Sequence, residues 1–436
     1  MARRHHRRGD RPEVPAGSSD GSRGPDHRPV RPATGDRVGA RQFSRAGPLG
    51  RGHPRTPRLP TERNTAVINP NALHDQVTSL PALIKEQTWR LEEDLRKSVP
   101  TPVQHAIRHV VLTGSGDSAI AGLAAEQTFR RFVGVPVYAG ESLAVSRFLL
   151  DSYGNEYPHT PMLLATSNSG EVARVVEAAQ RAAAAGGYVV GLTGNAQSRL
   201  ARTSQSIVDV GAPAFPAAPG MRSYVMAVLA LNLFAIRFAE VRGRITMDEA
   251  QALRGELAGL SDVVEQAIVT ADAPLRSLVQ DWRDLQGVEF LGSGPSRASA
   301  AFGVAKILEA VGKQSAHVDL EEFIHLNYFE RAATGIGTVV LAPAGSPVRS
   351  RADELAPLLN NLGRPWAAIG SVTDAPVSIE IPQVREEFAP VVQAAVLGLL
   401  AAHLMDATGE EPGRGAVGPW ADCADGATTR DSQIVL

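Results

Sequence analysis

The sequence predicts an α/β fold made of two copies of one parallel-sheet unit. Three observations predict it. From about residue 70, short apolar runs alternate with amphipathic stretches, and that alternation predicts a parallel sheet with helices on both faces. The pattern then repeats: the run from Val110 to Gly114, with Gly116 after it, recurs from Val288 to Gly292, with Gly294 after it, at an offset of 178. Met162–Thr166 recurs as Thr338–Ala342 and Tyr188–Leu192 as Pro365–Ile369, both offset by about 177. Finally, 436 residues with a 43% hydrophobic content suffice for two or three domains with sizeable cores.

The elements follow in order. Residues 1–63 contain fifteen Arg, no Lys and six acids, a balance of +9. With almost no apolar run, this Arg/Pro/Gly-rich segment is predicted to be a disordered tail. A secretory signal needs an apolar core that it lacks. Leu73–Val99 opens the first copy as a helix. Strands are predicted at His109–Thr113, Met162–Thr166, Tyr188–Leu192 and Ser206–Val210, with a helix over Glu171–Ala185 that stops at Gly186 and Gly187. The longest apolar runs, Val225–Ala239 and Val391–Met405, are interrupted by Asn232, Arg237, Gln393 and His403. They fall short of a membrane span and read as buried helices. Arg242–Asp284 reads as a largely helical connector. The expected division is a tail over 1–63, a first domain over 64–241, the connector over 242–284, a second domain over 285–410 and a C-terminal tail over 411–436 covering the site.

Composition excludes several classes. Outside the first 63 residues there are 29 basic and 40 acidic residues, a balance of −11, which disfavours nucleic-acid binding. One cysteine, Cys423, permits no internal disulfide and no cysteine-rich metal centre. A cytoplasmic protein is expected, with neither metal nor cofactor. Gly114 to Ala119 formally fits a dinucleotide-binding G-x-G-x-x-G/A pattern, but the second copy breaks it at Arg297 and no acidic residue clearly closes the next strand.

Two constellations carry chemistry. Ser167-Asn168-Ser169-Gly170 joins a strand to a helix. Hydroxyls, an amide and free N–H groups at the positive end of a helix suit a phosphate dianion. Ser115, at a neighbouring strand end, is expected to share the crevice. In the second copy, Ala300–Gly312 is apolar almost all round, so it should be buried. Its charges are Lys306 and Glu309, three residues apart on one face. A structural ion pair is one reading. The other is an acid/base carboxylate beside a cation, the equipment for moving a proton next to a carbonyl.

With these motifs, the chain resembles a SIS (sugar isomerase) domain protein, and residues 70–410 resemble the isomerase half of glucosamine-6-phosphate synthases, with a further likeness to fructosamine-phosphate deglycases. The resemblance implies two flavodoxin-like SIS domains. It implies that Ser115, Ser167, Asn168 and Ser169 contact a sugar phosphate and that Ser223 contacts the sugar. It also implies that Lys306, Glu309 and His325, sixteen residues beyond Glu309, are catalytic: Glu309 would shuttle a proton between C1 and C2 and His325 would help open the ring. This His can come from a partner subunit, so a homodimer is implied. Two departures stand out. The family's last loop Thr is Val172 here, and the C-terminal lysine that forms a Schiff base is absent, since the last of the four lysines is Lys313. With no amidotransferase domain and no N-terminal Cys, glutamine-dependent synthesis is not expected. Three readings stay open: a ketosamine- or hexosamine-phosphate deglycase or deaminase, an aldose–ketose isomerase, and a non-catalytic phosphosugar sensor.

Overall fold

The predicted strands are mostly apolar runs, the composition of strands covered on both faces. The structure, a computed structural model, describes residues 71–153, 159–411 and 429–436. The first sheet contains β1 (Val110–Gly114), β2 (Val137–Glu141), β3 (His159–Thr166), β4 (Gly187–Thr193) and β5 (Ser206–Asp209) in the order β2-β1-β3-β4-β5. The second contains β6 (Gly287–Leu291), β7 (Gln314–Val318), β8 (Ile336–Ala342), β9 (Trp366–Gly370) and β10 (Ser378–Ile379). Its order, read from β7, is β7-β6-β8-β9-β10. Every pairing in both sheets is parallel. The two sheets therefore share one topology, the flavodoxin-like order with its switch point beside the first strand.

Each sheet is a middle layer. Successive strand residues point to opposite faces. Val110 and Leu112 join the core that runs through the whole unit, whereas Val111 joins a separate core under the helix Ala173–Ala184. In the second sheet Val339 and Leu341 face the shared core, and Val340 and Ala342 face a third core under Arg349–Asn361. The helices Arg222–Val241 and Ala389–Thr408 are almost wholly buried in the shared core. They are long and apolar enough to cross a membrane by composition, but their apolar surface is already covered by protein. The equivalent helices Asp117–Phe132 and Pro295–Lys306 pack against each other. The described residues from 71 onward accordingly form one compact unit.

Some elements differ from expectation. The opening helix is broken at Ser79 into Ala72–Thr78 and Leu80–Ser98, because Pro81 lacks the N–H that a continuous helix would use. Edge strands β2 and β7 lie outside the predicted set: their alternating, half-exposed residues give no continuous apolar run. The connector is a single 36-residue helix, Met247–Trp282. It starts in a reciprocal capping box between Thr246 and Glu249. The tail over 1–63 lies outside the described residues.

The last eight residues dock on the first sheet's outer helix. Ile434 packs into the core there, and the Val435 N–H donates to Glu177 Oε2 at 2.8 Å. Glu177 is fully buried and also accepts from Ser146 Oγ, Arg147 and Arg174. Burial alone would push its carboxyl up, but Arg147, Val435, Ser146 and Arg174 together outweigh it and hold it down at about 2. The sign follows from linkage: a carboxyl depressed on folding adds stability above its unfolded pKa, and that stability is withdrawn as the pH falls toward 2. Glu177→Gln should cost roughly 3–5 kcal/mol at neutral pH, the cost of breaking a buried charge network. It should also flatten the stability curve between about pH 4.5 and 2. Urea denaturation across that range measures both.

Candidate functional site

The loop after β3 closes on itself. Ser167 Oγ accepts from the Gly170 N–H at 3.2 Å and Ser169 Oγ from the Glu171 N–H at 3.3 Å. A hydroxyl that accepts in this way keeps its own proton to donate. Gly170 has φ +66°, and a Cβ there would lie 2.0 Å from Ser198 Oγ, so only glycine fits the turn. The Asn168 carbonyl accepts from the Gly194 N–H and from Thr193 Oγ1, which fixes the loop to the end of β4. Val172, at the Thr position of the resemblance, packs against the outer core. Its apolar side chain serves the fold there instead of donating to a ligand. The Ala173 N–H is already taken by the Thr429 carbonyl of the docked C-terminal segment.

The loop after β1 is matched by the loop after β6. Gly116 and Gly294 have nearly identical left-handed conformations, φ 55° and ψ −132° against φ 57° and ψ −135°. In the first copy the next residue is Asp117, and its carboxylate meets the second copy. Lys306 Nζ lies 2.8 Å from Asp117 Oδ2 and 2.5 Å from Glu309 Oε2. Lys306 is fully buried and lies over the Phe302 ring at 5.0 Å, while Phe302 stacks on Tyr224 at 4.0 Å. Asp117 Oδ1 and the Tyr224 hydroxyl are buried without a hydrogen-bond partner. Burial, and then the Asp117 charge, push the Tyr224 phenol well above its ordinary range.

Glu309 departs from the expected geometry. The helix becomes a wider π turn over Ile307–Val311, a feature frequent at functional sites. Glu309 is carried to the rim on that turn, with 45% of its side chain exposed, so only Lys306 of the pair is buried. Desolvation of the carboxyl end still raises its pKa above the ordinary value. Lys306 opposes that rise and Asp117 adds to it.

Beside Asp117 lies a cavity of about 20 Å³ lined by Asp117, Thr166, Asn168, Ser223 and Tyr224 among others. It has room for roughly one water molecule. Ser223 Oγ and Asp117 Oδ2 converge on Gly220, where a Cβ would sit 3.0 and 3.1 Å from them. Asn168 and Ser223 therefore share one cavity, and Ser167 and Ser169 belong to the loop that carries Asn168. Ser115 stands apart: its Oγ pairs with Ser142 Oγ at 2.7 Å, on the β2 side of β1. His325, on the short helix Glu322–His325, is 58% exposed and lies 3.4 Å from Glu321 Oε1. Among the described residues no contact joins it to Lys306 or Glu309. The segment after it is pinned by Arg364, which donates to the Asn327 carbonyl and to Glu330.

Sequence reasoning missed Asp117 and Tyr224. A signal for Asp117 existed: a lysine in an apolar helix needs a carboxylate from elsewhere, and Asp117 is the acid beside the repeated glycine motif. As to other ligands, a carboxylate at the start of Asp117–Phe132 sits where a dinucleotide pyrophosphate would need to bind.

Replacing Lys306 with Met should leave Asp117 and Glu309 facing each other unpaired. A loss of roughly 1.5–3 kcal/mol is expected, the scale of hydrogen bonds to charged groups. Adding Asp117→Asn should restore part of it. A double-mutant cycle by urea denaturation reads the coupling.

Comparisons with known proteins bear on the fold that carries this site. The SIS domain family model matches residues 105–237. A glutamine–fructose-6-phosphate aminotransferase [isomerizing] from Pyrococcus horikoshii is 25% identical over 315 residues, covering 70% of this chain and 50% of that protein. The chain spans about half the length of the curated relatives it matches. Among solved structures, the C-terminal domain of glucosamine-fructose-6-phosphate aminotransferase from Francisella tularensis superposes with a TM-score of 0.69 at 15% identity, covering 78% of this chain and 97% of that one. A glucosamine-6-phosphate deaminase from Thermotoga maritima gives 0.62 at 16% identity, covering 78% and 96%. Both likenesses concern the fold. The family model stops at residue 237, and the second sheet shares the topology without matching it. Residues 105–237, with β1 to β5 and the Ser167–Gly170 loop, thus match the SIS domain family, and most of the chain is similar to glutamine–fructose-6-phosphate aminotransferases.

Proposed function

We propose that the chain is an enzyme that binds a phosphorylated sugar or amino sugar and moves a proton beside its carbonyl or imine carbon. The observation that carries this reading is the Lys306 ammonium held between Asp117 and Glu309, next to a cavity lined by Asn168 and Ser223. In this reading the hydroxyls of Ser167 and Ser169, with Asn168, hold the phosphate. Ser115 acts from the adjacent strand end, and Ser223 holds the sugar. Glu309 takes a proton from one carbon and returns it to the next. Its raised pKa suits it to both directions of transfer near neutral pH. Lys306 stabilises the oxygen that becomes anionic.

The cavity holds about 20 Å³, so a sugar phosphate enters only if the loops part. His325 reaches the reacting sugar from a second copy. Support for that comes from its neighbours: Leu326 and Phe329 beside His325, and Leu308 beside Glu309, are exposed apolar side chains that a homodimer would cover. Within the proton-transfer class, release of the amine from a ketosamine or hexosamine phosphate is favoured over plain isomerisation. Among the four lysines, none beyond Lys313 is available for a sugar imine, and such a substrate already carries its nitrogen.

Proton NMR in D₂O with glucosamine 6-phosphate, fructose 6-phosphate and a fructosamine 6-phosphate tests the proposal. Amine release, or deuterium entry at C1 or C2, should appear and should fall at least a hundredfold in Glu309→Gln. Binding without turnover would replace the enzyme by a sensor. The acid limb of kcat/KM should lie above the ordinary carboxylate range. Asp117→Asn should move it to lower pH, because it removes a like charge that raises the Glu309 pKa.

A further inference from the structure

The repeat predicts a second cavity, and the structure contains one. In the first copy the small cavity is bounded by the start of Asp117–Phe132, the loop after β3, the chain after β5 and the start of Arg222–Val241. The equivalents of the last three in the second copy are the loop after β8, the chain after β10 and the start of Ala389–Thr408. Those three segments bound a cavity of about 650 Å³, closed on its remaining side by the connector helix and Arg131. Its place is the carboxyl end of a parallel sheet, where α/β proteins bind ligands. Its volume falls in the range of small-molecule sites.

Its chemistry is the reverse of the first. Where the first copy has Ser167-Asn168-Ser169-Gly170, the second has Pro343-Ala344-Gly345-Ser346. Pro343 offers no N–H, and the one hydroxyl, on Ser346, donates to Glu386 Oε1 at 2.7 Å. A phosphate would find no free hydroxyl on this loop. The walls carry three carboxylates, Glu256, Glu386 and Glu387, against two guanidiniums. Arg385 is held in a fork by Glu256 at 2.7 and 2.8 Å, and Arg131 by Glu387 Oε1 at 2.6 Å. The other oxygen of Glu387 is left over. Glu387 is only 2% exposed, and its Oε2 has no hydrogen-bond partner. A buried carboxylate oxygen without a donor is costly, and here it belongs to a residue of the cavity lining, whose carboxylates exceed its guanidiniums by one. Apolar Leu260, Val263 and Ile381 supply the rest of the lining.

We propose that this cavity is a second ligand site, for a small organic ammonium ion that carries hydroxyl groups and no phosphate. The ammonium would donate to Glu387 Oε2 and balance the excess charge. The hydroxyls would meet the Gln383 amide and the free oxygen of Glu386, and the ligand's carbon skeleton would lie on the apolar wall. The site owes nothing to the assignment of the first cavity.

The probe is glucosamine, titrated calorimetrically into the full chain. N-acetylglucosamine, which lacks the cation, runs as a parallel arm. Saturable binding of glucosamine is expected, with affinity at least tenfold weaker for N-acetylglucosamine. Glu387→Gln should weaken it at least tenfold. Gly259→Leu should do the same by filling the cavity. A Cβ at Gly259 meets nothing within 4 Å, and the residue lies inside a helix, so this variant should fold even if Glu387→Gln does not. Ser167→Ala, in the loop beside the first cavity, should leave glucosamine binding unchanged. The proposal is overturned if glucosamine shows no saturable binding, if N-acetylglucosamine binds equally well, if Gly259→Leu binds normally, or if Ser167→Ala abolishes glucosamine binding.

Discussion

A single buried ammonium couples the two halves of this molecule. Lys306 belongs to the second copy of the sheet unit, and its nearest carboxylates are Asp117 of the first copy and Glu309 of its own. An unpaired lysine could not occupy that position, because burying its charge in an apolar helix would cost several kcal/mol. The helices Asp117–Phe132 and Pro295–Lys306 must therefore pack closely enough for Asp117 to reach it. That approach in turn requires both glycines, Gly116 and Gly294, to turn the chain out of each sheet in the same conformation. The stack of Tyr224 on Phe302 beneath the ammonium completes the contact between copies. One electrostatic demand thus sets the relation of two sheets, two glycine turns and an aromatic pair.

The two copies have kept the same backbone and divided the chemistry. The first has a tight loop of hydroxyls and an almost closed cavity. The second supplies Lys306 and Glu309, and its own loop has a single hydroxyl, given to Glu386, beside a much larger space. A repeated unit in one chain permits this division. Each copy can specialise as long as the contact between them survives. The burial of Lys306 is what ties one copy's specialisation to the other's.

Much of this is legible in the sequence. Interior strands are continuous apolar runs, so β1, β3, β4, β8 and β9 are readable, and so are the buried helices Arg222–Val241 and Ala389–Thr408. The repeated glycine motif is enough by itself to reveal the duplication. Edge strands β2 and β7 are not readable, because one side faces solvent and their residues are mixed. The loop Ser167–Gly170 stands out because its hydroxyls exceed what a helix cap needs. Asp117 does not, because an acid in the first turn of a helix is ordinary. Its importance comes from Lys306, 189 residues away, and a pairing over that distance leaves no trace in local spacing. The exposure of Glu309 is hidden for a different reason: the residue pattern there reads as a regular helix, and the backbone widens instead.

That widening has a consequence for how the site could have arisen and how it could be lost. A π turn is an α-helix carrying one surplus residue. Deleting a single residue between Ile307 and Val311 would let the helix run on regularly. The residues between the deletion and Gly312 would then shift by roughly 100° about the axis, while Lys306, ahead of them, and the chain after Gly312 kept their places. The fold would keep its buried ammonium and its packing, but the carboxylate at Glu309 would swing away from its partner. One codon gained or lost could thus switch this pair on or off without unravelling the protein that holds it.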